Sequence, residues 1–117
     1  MKKLIRMLLI CFLLTACGKK LYETIDTNKA VDIINNGAVL IDVRTTDEFN
    51  REHITNAVNI PLEQIDTIGY DKDTTIIVYC QTGIRSKEAV EKLSNMGYTN
   101  LYDLDGGLLN WGGSLEE

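Results

Sequence analysis

The chain has 117 residues, 44% of them hydrophobic and 25% charged, with a formal net charge of −5. It is too apolar for a disordered chain and of a length that suits one compact domain rather than two. A chain near this size buries roughly two-thirds of its unfolded surface, enough to fold without disulfide staples. One histidine and three cysteines, each cysteine with a different expected fate, do not supply the four ligands of a structural zinc site.

The first residues stand apart from the fold. Lys2, Lys3 and Arg6 precede an uncharged, mostly apolar run from Met7 to Ala16 that ends in small residues before Cys17. That is the pattern of a secretory signal peptide, and the run is too short for a spanning helix, which needs about 20 apolar residues. Leu14-Thr15-Ala16-Cys17 resembles the lipobox of bacterial lipoproteins. The resemblance implies cleavage before Cys17 and acylation of its thiol, with ordinary secretion and a free Cys17 as the alternative. The expected organisation is therefore a signal peptide over residues 1–16, a lipidated tether over 17–21 and one domain over 22–117. The expected location is the cell envelope, tethered to a bacterial membrane and facing away from the cytoplasm, where Lys19 and Lys20 can favour anionic headgroups. Loss of Lys2, Lys3 and Arg6 leaves nine basic against seventeen acidic side chains, a formal −8. Such a chain lacks the basic surface that nucleic acid requires, and Cys80 becomes its only free thiol.

In chain order, Asp26 reads as the N-cap of a helix with Ala30, Val31, Ile33 and Ile34 on its apolar stripe, closed by Asn36-Gly37. Ala38 to Val43 is an apolar run broken only by Asp42, the signature of a strand buried on both faces. Thr46 is expected to cap a short helix through Glu52, and Ala57 to Ile60 forms a short strand stopped by Pro61. Thr74 to Tyr79, with Thr75, Ile76, Ile77 and Val78 β-branched in succession, is the strongest strand. A helix follows from Gly83 to Met96, with Ile84, Ala89, Val90, Leu93 and Met96 inward and Gly97 at its end. Leu101 to Leu104 is a further strand, and Gly106-Gly107 leads into a last turn around Trp111. Strands alternating with helices imply an α/β fold with a mostly parallel sheet.

Cys80 falls where the buried strand ends and a helix begins, followed by Gln81, Thr82, Gly83, Ile84, Arg85 and Ser86. This is the carboxyl edge of a parallel sheet, where open α/β folds place ligands. A tight turn there can aim successive backbone N–H groups inward as an anion nest, and the helix that follows adds the positive end of its dipole. Both favour a thiolate. A strand-end cysteine is ordinarily just a small buried apolar residue, but packing alone does not call for Gly83, Arg85 and Ser86 beside it. Gly83 permits a backbone conformation that a β-carbon obstructs, and Arg85 can set a fixed charge on the rim.

Four ordered stretches resemble the rhodanese-like family and cover the chain from about Leu21 to Trp111. They are Leu40 to Arg44 with Glu48-Phe49, His53 to Leu62, the loop Cys80 to Ser86, and Asp105-Gly106-Gly107 to Trp111. The resemblance implies a single α/β domain with a mostly parallel five-stranded sheet flanked by helices, and a sulfurtransferase without a cofactor. Cys80 would attack the outer sulfur of thiosulfate or of a persulfide or polysulfide, hold it as a persulfide and yield it to cyanide, a thiol or a protein acceptor. Backbone N–H groups from Gln81 to Arg85 would stabilise the anion, with Arg85 assisting. Two departures stand out: Thr55-Asn56 replaces a common proline-glycine pair, and Gln81 and Thr82 stand where many relatives carry a basic residue. The weaker positive rim on an acidic chain favours a persulfide or polysulfide donor.

The remaining marked residues read as supports. Asp42 and Arg44 form a polar network at a strand end, from which Arg44 can reach the loop. Glu48 and His53 hold the halves of their box together, His53 through a structural hydrogen bond, and Trp111 covers the core. Two other functions compete. A phosphatase or arsenate reductase also uses a cysteine in an anion nest, but with Cys-x5-Arg spacing in place of the Cys-x4-Arg seen here, and with an acid for the leaving oxygen. No such acid is evident, Asp42, Asp103 and Asp105 being the carboxylates left open. A lipid-anchored, catalytically silent binding module is the second alternative, and inactive relatives usually lose the cysteine.

Overall fold

The computed structural model describes residues 21–117. The expected signal peptide over residues 1–16 and the expected acylation site Cys17 lie outside them. Five strands form one sheet: β1 (Glu23–Ile25), β2 (Val39–Asp42), β4 (Val58–Asn59), β5 (Thr75–Tyr79) and β6 (Asn100–Leu104). Their order is β1-β6-β5-β2-β4 and every pairing is parallel. Two further strands, β3 (His53–Ile54) and β7 (Leu115–Glu116), pair antiparallel as a small ribbon. The helices are α1 (Thr27–Asn35), α2 (Thr46–Arg51) and α3 (Ile84–Asn95), and two 3-10 turns cover Leu62–Thr67 and Gly107–Asn110.

The β-branched run in β5 sits between β2 and β6 at the centre of the sheet, so both its faces are covered. Alternation then sorts its side chains. Ile76, Val78 and Cys80 enter one core with Ile41, Ala89, Val90 and Leu93, on the α3 side. Ile77 and Tyr79 enter the other with Ala30, Leu40, Ile54 and Leu104, on the α1 side. The alternation thereby aims the Cys80 side chain toward the first turn of α3.

Local signals set the helix ends. The Asp26 carboxylate accepts a hydrogen bond from the Lys29 amide at 2.9 Å, and Gly37 closes α1 at φ +99. Thr45 rather than Thr46 caps α2, because Glu48 completes a reciprocal capping box with Thr45. The inner face of α3 also differs from the expected stripe. Ile84 is 79% exposed and Ser86 is buried instead, because the first turn of α3 leaves the active loop outward and only its third residue faces the sheet. Val31 likewise lies at the exposed margin of α1.

The strand expected over Ala57 to Ile60 is shortened to Val58–Asn59, and β1 and β7 carry no run long enough to mark them. Asn56 takes the left-handed conformation at φ 68, and the Ala57 amide donates to the Ile54 carbonyl at 3.0 Å. Asparagine therefore serves the left-handed turn without a glycine.

Candidate active site

The Cys80 sulfur is the focus of the loop between β5 and α3. Its residue is only 1% exposed, so it has lost most of its water. The Gly83 amide donates to Sγ at 3.1 Å and the Ser86 amide at 3.4 Å. Gly83 holds φ +102, a region that L side chains avoid, and this turns the chain so that both amides converge. Burial pushes the Cys80 thiol up, but contacts from the Ser86, Gly83 and Thr82 amides outweigh it and bring it below its ordinary value. The amides within hydrogen-bond distance of the sulfur are those of Gly83, inside the expected span from Gln81 to Arg85, and Ser86, one residue beyond it.

The Arg85 side chain turns to Glu48. Its two terminal nitrogens donate to the two carboxylate oxygens at 2.7 and 3.0 Å, the planar fork that makes such pairs strong. Arg85 supplies the loop with a charge already matched by a carboxylate. Its hydrogen bonds hold the Glu48 carboxyl at about 2, well below the usual carboxylate range. Thr45 adds to this through the same capping box that starts α2. The pair ties α2 to the active loop.

Arg44 braces the same edge from beneath. It donates from Nε and Nη2 to the buried Asp42 carboxylate at 2.8–3.1 Å, from Nη2 to the Glu52 carbonyl at 2.6 Å and from Nη1 to the Gln81 side chain at 3.2 Å. A buried guanidinium and carboxylate persist only when so fully bonded. Asp42 and Arg44 therefore join the sheet edge to α2 and to the loop at Gln81. Arg44, Glu48, Arg51, Glu52, Gln81 and Leu108 line a shallow mouth at this edge. Thr82 lies at the exposed tip beside it.

His53 stands apart from the sulfur. Its Nδ1 donates to the Phe49 carbonyl at 2.8 Å, its ring stacks on Phe49, and its Nε2 lies 3.3 Å from Glu116. It fastens α2 and the ribbon. The indole of Trp111 donates to the Ser114 carbonyl and packs against the α1-side core.

Two features of the site carry little signal in the sequence. A β-carbon on Gly107 would lie 2.4 Å from the Cys80 carbonyl oxygen. Only glycine lets the closing turn seat there, where the Leu108 and Leu109 amides donate to the Cys80 and Gln81 carbonyls at 2.9 and 3.2 Å. Asp103 is fully buried on β6, with its carboxylate taking Ser86 Oγ on one oxygen and Lys87 Nζ on the other. A charged residue inside an apolar strand marks Asp103 as it marks Asp42, but its partners on α3 are set by tertiary packing.

The Glu48–Arg85 pair makes a pH prediction with a definite sign. Because the folded carboxyl is depressed, its contribution is present above the unfolded value of about 4.3 and disappears as pH falls through about 2. Glu48→Gln should cost about 1–2 kcal/mol at neutral pH, the pair being partly screened by solvent. Denaturation measured from pH 7 to pH 2 should show the gap between variant and parent closing below about pH 4.3.

Residues 20–114 match the model of the rhodanese-like domain. The chain is 44% identical over 70 residues to the thiosulfate sulfurtransferase PspE of Escherichia coli (strain K12), covering 56% of this chain and 67% of that protein. It is 35% identical over 102 residues to the adenylyltransferase and sulfurtransferase uba4 of Ogataea parapolymorpha, covering 81% of this chain but only 26% of that much longer protein. The crystal structure of a rhodanese-related protein from Thermoplasma volcanium superposes with a TM-score of 0.72 at 30% identity, over 81% of this chain and 98% of that one. With its sheet order, its strand-end cysteine loop and these matches, the chain belongs to the rhodanese-like domain family.

Proposed function

We propose that the protein is a sulfurtransferase that carries sulfane sulfur as a persulfide on Cys80. The observation that carries this reading is the convergence of the Gly83 and Ser86 amides on a buried sulfur at the end of β5, at 3.1 and 3.4 Å. Fixed main-chain donors stabilise the thiolate without a histidine base. In the first step the Cys80 thiolate attacks the outer sulfur of thiosulfate or of a persulfide. A new S–S bond forms, the donor's S–S bond breaks, and sulfite or a thiolate leaves with the electron pair. In the second step cyanide or an acceptor thiolate attacks the outer sulfur of the Cys80 persulfide, and Cys80 leaves as the thiolate.

Charge at the mouth bears on the donor. The Arg85 and Arg44 guanidinium groups are both paired with carboxylates, so neither is a free anion anchor. Arg51 is the remaining guanidinium lining the mouth, but with Glu48 and Glu52 beside it on an acidic chain long-range attraction of an anion is weak, which favours a persulfide or polysulfide, with thiosulfate as a slower donor. Spacing favours sulfur over phosphate as well. The six-residue span Cys80 to Arg85 leaves room for one added sulfur rather than a phosphate with three oxygens to be met by donors.

Mass analysis of the Cys80 peptide after exposure to polysulfide or thiosulfate should show one added sulfur that cyanide removes. Cys80→Ser should abolish turnover, and aryl-phosphatase activity should be negligible. Cys80-dependent phosphatase turnover with no persulfide would overturn the proposal. A silent binding module would show neither activity.

We also propose, from Leu14-Thr15-Ala16-Cys17 alone, that Cys17 is acylated and holds the domain at a membrane facing away from the cytoplasm. Each buried methylene of such an anchor contributes about 0.8 kcal/mol. Cys17→Ala should lose fatty-acid label and leave the membrane fraction, and a variant that keeps both would refute the anchor.

A further inference from the structure

Beneath the active loop lies a buried polar chain that the sulfur-transfer steps do not use. Asp103 on β6 is 0% exposed. One of its carboxylate oxygens is 2.5 Å from Ser86 Oγ and the other is 2.7 Å from Lys87 Nζ. Ser86 Oγ in turn lies 3.1 Å from the Gly83 carbonyl oxygen and 3.7 Å from Cys80 Sγ. Sulfur, hydroxyl, carboxylate and ammonium thus follow one another from the loop into the protein.

A serine hydroxyl has one proton. Three acceptors surround it here, and the carboxylate is both the nearest and charged whether the sulfur is a thiol or a thiolate, so it takes the proton. The Cys80 sulfur then meets a lone pair of Ser86 Oγ. That lone pair accepts a hydrogen bond from a thiol but repels a thiolate. The amides of Gly83 and Ser86 act in the opposite sense. Three ion pairs flank the loop, Arg85 with Glu48, Asp42 with Arg44 and Lys87 with Asp103 itself, and Arg51 and Glu52 stand at the mouth.

We propose that Asp103 is a positioning residue that sets the reactivity of Cys80 through the direction of the Ser86 hydroxyl, holding its proton away from the sulfur and so restraining the thiolate that the loop amides favour. Lys87 fixes the sense of this device. In Asp103→Asn, the ammonium at 2.7 Å selects the amide oxygen as its neighbour, which turns the amide NH2 toward Ser86. The amide then donates to Oγ, and the hydroxyl proton is released toward the sulfur. Reversal of one hydrogen bond converts Ser86 from a group that favours the thiol into one that favours the thiolate.

The inference rests on Cys80 being the reactive thiol of the proposed function, but not on which sulfur compound is the donor. It is tested by the pH dependence of iodoacetamide labelling of the full chain, read at the Cys80 peptide by mass spectrometry. Asp103→Asn should lower the labelling midpoint by about one pH unit, the size expected when a nearby anion is removed and a donor gained. In a Ser86→Ala background the same change should lose most of that shift, and Ser86→Thr, which keeps the hydroxyl, should restore it. Asp103→Val, which buries no unpaired amide, is a second arm with the same expected fall should the asparagine variant not fold. An unchanged or raised midpoint overturns the proposal. So does a fall of equal size with and without the Ser86 hydroxyl, since that is the direct effect of charge. Thiosulfate and polysulfide turnover is measured in parallel: its absence alongside a hydroxyl-dependent shift would defeat the proposed function and leave this inference standing.

Discussion

A sulfur anion at Cys80 has almost no water to stabilise it, and the rest of the site is organised around that deficit. The side chain is buried because it continues the inward alternation of Ile76 and Val78. Burying a charge is costly unless fixed donors replace the lost hydration, and the donors here belong to the main chain. They can converge only if the backbone turns sharply after β5, which is why Gly83 adopts φ +102. Gly107 extends the same requirement to a distant segment. Its missing β-carbon lets the closing turn approach the Cys80 carbonyl and hold the loop from behind.

Around this loop the charges are matched pair by pair. Asp42 with Arg44, Glu48 with Arg85 and Asp103 with Lys87 each join the loop or its neighbours to a different element. Such pairs contribute position more than net stability, because desolvation offsets much of their attraction. They also leave the rim without a free guanidinium among these partners. In the proposed function the Cys80 sulfur therefore draws its nucleophilicity from short-range main-chain contacts, while long-range attraction of anionic donors stays weak on an acidic chain. This combination suits a carrier of uncharged or singly charged sulfane sulfur.

Much of this was legible in the sequence because the informative signals are local. The β-branched run Thr75 to Val78, the break at Cys80 and the glycine three residues later announce a central strand, a turn and a helix without reference to the rest of the chain. The spacing of the loop likewise points to its chemistry. Other features depend on tertiary pairing. β1 and β7 have three and two residues and exist as strands only through β6 and β3. Ile84 extends the apolar stripe of α3 in sequence, yet the direction in which the loop exits turns it to solvent. Glu48 and Arg85 are 37 residues apart, so neither residue alone identifies its partner. Asp103 is visible as a charge in an apolar strand, but its tie to Ser86 and Lys87 requires α3 to lie across β6.

The central claim is that main-chain donors make a buried thiol reactive, and the titration of Cys80 in the unmodified protein tests it most directly. Alkylation of the Cys80 peptide measured across pH should give a midpoint below the free-thiol value of about 8.5. The Gly83 and Ser86 amides would then outweigh burial and the opposing lone pair of Ser86. A midpoint at or above that value would show that burial wins, that the loop does not act as an anion cradle, and that the account given for Cys80 is wrong.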